Sequence, residues 1–295
     1  MIAQARRAAR GRPWVVCADF DDTISAGDTI SDLATLACMA RRASLAVWTT
    51  LTQQYMDEYG LVMAGIPRTL SPPRPYDPVS LQHFLANFAA VDKASIDRVV
   101  ASSVLAGLSR PAIVAGAKAR VTLQPGAAAV LSASAHPLVI VSSNWSVDWL
   151  TSAMDTIPFD GIVTNDLAFG PGGISTGHLV LRMQSPNDKA ACVARLQRER
   201  EAAAIFIGDG VNDLLALLQA DVGFLLGGPA TSAARVATHF GIRIETLKYN
   251  EATLESLSAT AKAAKATGSP LLFRAPHWNA LQFLSSKASV GNSPT

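Results

Sequence analysis

The chain has 295 residues, of which 49% are hydrophobic and 16% charged, enough apolar material for a large buried core, so wholesale disorder is excluded. Its formal charge of +2, with no long Lys/Arg stripe, excludes the electrostatic footprint of a nucleic-acid binder. Cys17, Cys38 and Cys192 are odd in number and lack metal-like spacing, which argues against a disulfide framework and fits a reducing compartment.

Residues 1–13 carry Arg6, Arg7, Arg10 and Arg12 among alanines and no acid, and read as a disordered leader, with a mitochondrial presequence as the alternative to a cytoplasmic protein. No run reaches the roughly 18 uninterrupted apolar residues of a membrane helix. The short apolar runs at 14–18, 138–141, 203–207 and 222–226 each stop at Gly, Ser or Asp before a helix-like stretch. That repetition predicts an α/β fold with a buried parallel sheet and a ligand site beyond its carboxyl ends. Helices are expected over 31–46, 48–63, 78–90, 94–108 and 111–119, with the proline-rich stretch 65–75 as a loop. Residues 163–181 read as a hairpin around a glycine-rich turn. The expected organisation is a core of 14–27 and 121–262, a helical insert at 28–120, and a C-terminal segment at 263–295, partly docked through Phe273 and Trp278, with a disordered tail.

Four segments carry chemistry. Asp19-Phe-Asp-Asp-Thr-Ile24 puts three carboxylates at a strand end, where they repel unless a proton or cation intervenes, and hard oxygen donors of this kind suit Mg²⁺. The plainer alternative is an acidic turn that caps a helix. Val141-Ser-Ser-Asn-Trp-Ser146 follows a second strand, and the N–H groups of Ser143 and Asn144 are placed to face an anion at the next helix start, or simply to cap it. Lys189, at a helix start, opposes the macrodipole unless acids stand nearby. Gly208-Asp-Gly-Val-Asn-Asp213 adds Asp209 and Asp213 after another strand.

In this order, strand–DxDxT, strand–Ser, Lys and strand–GDxxxD, the segments resemble the four-motif signature of the haloacid dehalogenase superfamily, in its phosphoserine-phosphatase-like branch. Further likeness, in Gln54-Tyr-Met-Asp-Glu-Tyr59, Asn165-Asp-Leu, Ser175-Thr-Gly and Gln184-Ser-Pro-Asn-Asp-Lys189, is to the phosphatase domain of plant thiamin-monophosphate phosphatases and related fungal phosphatases. The resemblance implies a Rossmannoid α/β core with an inserted C1-type helical cap, and a Mg²⁺-dependent phosphomonoesterase working through an aspartyl phosphate. Carried over by position, Asp19 is the nucleophile and Asp21 the acid and base, while Lys189 neutralises charge. Ser142, Ser143 and Asn144 bind phosphoryl oxygens. Asp19, the Asp21 carbonyl and Asp209 hold the metal, with Asn212 and Asp213 around them. Ser143 stands where this branch often has Gly. Asp28, Trp48, Gln54, Tyr55, Tyr59 and Trp145 are the expected substrate contacts, and each is equally readable as packing or a helix cap. The expected partner is a small phosphate ester, thiamin monophosphate or a lipophilic terpenoid phosphate, bound by a monomer or homodimer without nucleic acid. Transfer to an alcohol, and a non-catalytic binding role, stay open.

Overall fold

The structure, a computed structural model, describes residues 12–247 and 253–285; the leader expected over 1–13 falls almost wholly outside them, as does the end of the expected tail. Trp14–Ala18 (β1) is an unbroken apolar run and forms an interior strand, third from one edge, of a seven-stranded sheet. Its neighbours are Leu138–Val141 (β3), beyond which lies Gly161–Val163 (β4), and Ala203–Gly208 (β7), beyond which lies Val222–Leu226 (β8). All these pairings are parallel, with Ala18 level with Ile140 and Ile207, so three strands end at one height and their following residues meet. Successive β1 residues alternate between two apolar cores: Val16 and Ala18 face one, Val15 and Cys17 the other. Cys17, Cys38 and Cys192 are free and buried.

Leu271–Ala275 (β10) is a strand of the same sheet, inserted between β8 and Arg243–Thr246 (β9). The 3₁₀ segment after it, Trp278–Ser285, buries Trp278, whose Nε1 donates to the Thr23 carbonyl at 2.8 Å. The C-terminal segment thus braces the loop that follows β1.

Between β1 and β3 lie Ile30–Ala40 (α1), Ala46–Met63 (α2), Pro78–Ser102 (α3), Ala106–Ser109 (β2), Arg110–Arg120 (α4) and Ala127–Ser132 (α5). Helix α1 stops short of the expected 46 because the chain turns left-handed at Arg42 (φ 55°). The two helices expected over 78–90 and 94–108 are one 25-residue helix, since neither Gly nor Pro interrupts 79–102, and residues 106–109 form a strand instead. Asp77 caps α3 by accepting from the Ser80 N–H, with Pro78 at the first position.

The hairpin is present as Asp166–Phe169 (β5) and Ile174–Val180 (β6), and β2 joins it in a three-stranded antiparallel sheet. Ser175 Oγ donates to the Leu105 carbonyl and accepts from the Leu108 N–H. At Gly177 (φ 90°) a side chain would lie 2.9 Å from Ser103 Cα, so the Ser-Thr-Gly segment is the seam between hairpin and helices. The remaining helices are Val147–Ala153 (α6), Pro186–Glu199 (α7), Leu214–Gln219 (α8), Ser232–His239 (α9) and Leu254–Ala266 (α10). No helix among the described residues is long and apolar enough to cross a membrane.

Candidate active site

Asp19 is the first residue beyond β1, and its N–H bonds the Ile207 carbonyl of β7. Its Oδ1 accepts from the Phe20 N–H at 2.7 Å and its Oδ2 from Lys189 Nζ at 2.7 Å. Lys189 sits in the first turn of α7, which Ser185 caps at Asp188 with Pro186 behind it. It is fully buried, and its second contact is Asp213 Oδ1, also at 2.7 Å. Asp213 in turn accepts from the Gly210 N–H through Oδ2, and a Cβ at Gly208 would lie 2.5 Å from that oxygen. Burial alone would drag the Lys189 ammonium down; the charges of Asp19 and Asp213 outweigh it and hold the amine above the ordinary lysine range.

Asp209 lies beside this pair, with Oδ1 accepting from Thr23 Oγ1 at 2.6 Å. Carboxylate oxygens of Asp19, Asp209 and Asp213 all lie within 4.8 Å of one another. Burial, then the charge of Asp213, pushes the Asp209 carboxyl up to about 8, with Asp19 and Asp22 adding to the effect and the Thr23 hydroxyl opposing it. A cation would favour the charged form that burial and the neighbouring carboxylates oppose, and the all-oxygen donor set fits Mg²⁺. The sign of a stability test follows. Asp209 binds its proton more tightly folded than unfolded, so the metal-free protein loses stability as pH rises from about 4 to about 8. Thermal unfolding is expected to show Tm falling over pH 5.5–8.5 in EDTA, and Mg²⁺ to restore most of the loss at pH 8 and little at pH 5.5.

Asp21 points away from this cluster. Its Oδ1 accepts from the Thr29 N–H at 2.8 Å and Thr29 Oγ1 at 2.7 Å, and its Oδ2 from Asn144 Nδ2 at 2.8 Å. Thr29 Oγ1 also accepts from Asn144 Nδ2 and Trp149 Nε1, so this buried hydroxyl uses its one donor and both acceptor sites. Burial and then Asp28 push the Asp21 carboxyl up to about 7, against the hydrogen bonds from Asn144 and Thr29 that favour its charged form. It can therefore carry a proton near neutral pH.

The sequence expectation for Asn144 meets a different arrangement. Its N–H is engaged by Ser142 Oγ at 3.1 Å, and its side chain holds Asp21 and accepts from the Trp145 and Ser146 N–H groups. It orients the acid rather than facing the pocket. Ser142 is buried beneath, while Ser143 lines the pocket, its carbonyl held by Asn165 Nδ2. Thr29 escaped the sequence reading because the neighbouring Asp28 drew the role of helix cap.

A cavity of about 480 Å³ opens above these groups. Asp19, Asp21, Ser143, Asp209 and Asn212 line it from the loops that follow β1, β3 and β7, and Asp28, Trp48, Tyr55 and Tyr59 line it from the segment between β1 and α3. Trp48 meets Trp145 edge to face, with ring centroids 6.3 Å apart. Asp28 is tied to the Ile30 N–H at 2.9 Å. Gln54 does not reach the cavity: it is exposed and donates to Glu58 one turn along α2, since its position falls on the outer face of that helix. Asp92 on α3, which no sequence motif singled out, lines the cavity and accepts from Tyr55 Oη at 3.1 Å.

Residues 16–218 match the family described as haloacid dehalogenase-like hydrolase. The "Bifunctional TH2 protein, mitochondrial" of Arabidopsis thaliana is 26% identical over 294 residues, covering 86% of this chain and 46% of that protein, so the chain spans about half its relative's length. Among solved structures, a substrate-bound phosphoserine phosphatase complex superposes with a TM-score of 0.50 at 16% identity, over 74% of this chain and 87% of the other. A phospho-aspartyl intermediate analogue of phosphoserine phosphatase gives 0.48 at 16% identity, over 73% and 87%. At 16% identity the likeness to the substrate-bound complex is one of fold.

Proposed function

We propose Mg²⁺-dependent phosphomonoesterase activity for this chain, which belongs to the haloacid dehalogenase-like hydrolase family. The observation that carries the reading is Lys189 Nζ at 2.7 Å from both Asp19 and Asp213, buried under a cavity that Asp19 and Asp209 line. A buried ammonium there pins one carboxylate and neutralises incoming phosphoryl charge. The Asp19 carboxylate attacks phosphorus, forming an Asp19 O–P bond as the ester O–P bond breaks, and Asp21 gives its proton to the departing alkoxide. Water then loses a proton to Asp21 and attacks the same phosphorus, which releases inorganic phosphate and restores the Asp19 carboxylate. The Ser143 N–H and Ser142 bind phosphoryl oxygens. Asp19, the Asp21 carbonyl and Asp209 would hold Mg²⁺, which supplies charge neutralisation for the phosphoryl group.

The segment 28–120 acts as a cap over a core of 14–27 and 121–262, excluding water when a substrate is seated. Thiamin monophosphate is the first substrate to test, on the sequence resemblance and on the aromatic groups at Trp48, Tyr55, Tyr59 and Trp145. Phosphate release should be measured across an ester panel that includes thiamin monophosphate, phosphoserine and a terpenoid monophosphate, with Mg²⁺ or EDTA, and with glycerol added as a competing acceptor. Mg²⁺-dependent release without glycerol phosphate is expected. Mg²⁺ binding with no turnover of any ester would replace this reading by a binding role, and glycerol phosphate would replace it by a transferase.

A further inference from the structure

The apolar face of α3 runs through Leu81, Leu85, Phe88, Ile96 and Val99, at helical spacings of three and four. Asp92 sits four residues after Phe88 and four before Ile96, where this stripe calls for another apolar side chain. Its carboxylate lines the cavity, accepts from Tyr55 Oη, and has no ion-pair partner among the described residues. Burial pushes it up to about 6, against the Tyr55 hydrogen bond and the more distant Lys189 charge. At pH 8 it remains an ionised carboxylate held in a half-buried wall.

Three further observations converge. No described residue lining the cavity is Lys, Arg or His, so no cation in that lining faces Asp92. Trp48, Tyr55, Tyr59 and Trp145 line the same space, and aromatic faces attract organic cations. Thr52 Oγ1, also in the lining residues' set, is buried and has no hydrogen-bond partner, a polar atom without a match inside the protein.

We infer that Asp92, fixed by Tyr55, is a specificity-determining residue that reads a positive charge on the alcohol portion of the substrate, which is therefore a phosphate ester of a cationic, preferably aromatic, alcohol. The inference rests on the phosphatase reading for the word substrate, and on the cavity alone for the word cation. Its corollary is that phosphoserine is a poor substrate, because the pocket offers its carboxylate no cation.

The test compares choline phosphate with its uncharged isostere 3,3-dimethylbutyl phosphate at pH 8, in wild type, Asp92→Asn and Asp92→Glu. Wild type is expected to favour the cation by about tenfold in kcat/KM. Asp92→Asn should bring the two esters within about twofold, through a raised KM for the cation; Asp92→Glu should regain most of the preference. In parallel, binding of phosphate-free thiamin, an aromatic cationic alcohol, is followed by tryptophan fluorescence and should weaken about tenfold in Asp92→Asn. Equal use of both esters by wild type overturns the inference whatever the variants do, and so does thiamin binding that is indifferent to residue 92. If no ester is hydrolysed, the phosphatase reading fails, while the thiamin titration still decides this one.

Discussion

Asp19→Asn is expected to lower kcat for phosphate release by on the order of 10⁵, the scale on which losing a nucleophile acts. The amide keeps the shape of the side chain and can still accept from the Phe20 N–H, but it cannot form the acyl phosphate. Lys189 is not stranded by the change, because its contact to Asp213 at 2.7 Å remains. The variant also removes one of three mutually close carboxylates, which relieves repulsion on Asp209. Its Tm in EDTA should therefore stay within a few degrees of wild type, which separates lost chemistry from lost fold. Acid-quenched wild type should retain labelled phosphate from a labelled ester, and the variant should not. Full Mg²⁺-dependent turnover by Asp19→Asn would remove Asp19 from the mechanism.

The groups that meet in this experiment were readable in the chain because each ends a short apolar run: Asp19 after β1, Ser142 after β3 and Asp209 after β7. A buried parallel strand needs no partner pattern beyond its own hydrophobicity, so such runs announce themselves locally. What was not readable depended on the third dimension. Asp92 falls in the gap between the helices expected over 78–90 and 94–108, and a charged residue in an apolar stripe looks like the end of a helix when burial is unknown. The counter-signal was the uninterrupted spacing from Leu81 to Val99, with no Gly or Pro near Asp92. The amide of Asn144 reaches Asp21 across 123 residues, and the Trp278 indole reaches the Thr23 carbonyl across 255. Neither contact leaves a trace in local sequence. The insertion of β10 between β8 and β9 is of the same kind, since strand order follows from packing and not from chain order.

Lys189→Met should fail in two separable ways. The side chain has no exposure, and Asp213 beneath it has none either, so the substitution leaves buried carboxylates facing a thioether. Removing one partner of a buried ion pair costs roughly 3–5 kcal/mol, and in a domain of this size that lowers Tm by about 10 °C. The sign with pH is fixed by direction: Lys189 is held above its unfolded value, so its contribution is complete at neutral pH and is lost only in strong alkali. Mg²⁺ should stabilise Lys189→Met more than wild type, because a cation beside Asp19 takes over part of the missing charge. Activity should fall by about 10³ through the loss of a preorganised positive group. The pairing with Asp213→Asn decides between the two failures. Removing the second charge leaves no unpaired ion at that position, so the double variant should recover much of the Tm. It should recover none of the activity, since the ammonium that neutralises phosphoryl charge and holds Asp19 Oδ2 is still missing. A Lys189→Met protein with wild-type turnover, or a double variant that regains it, would show that the buried ammonium serves the fold alone.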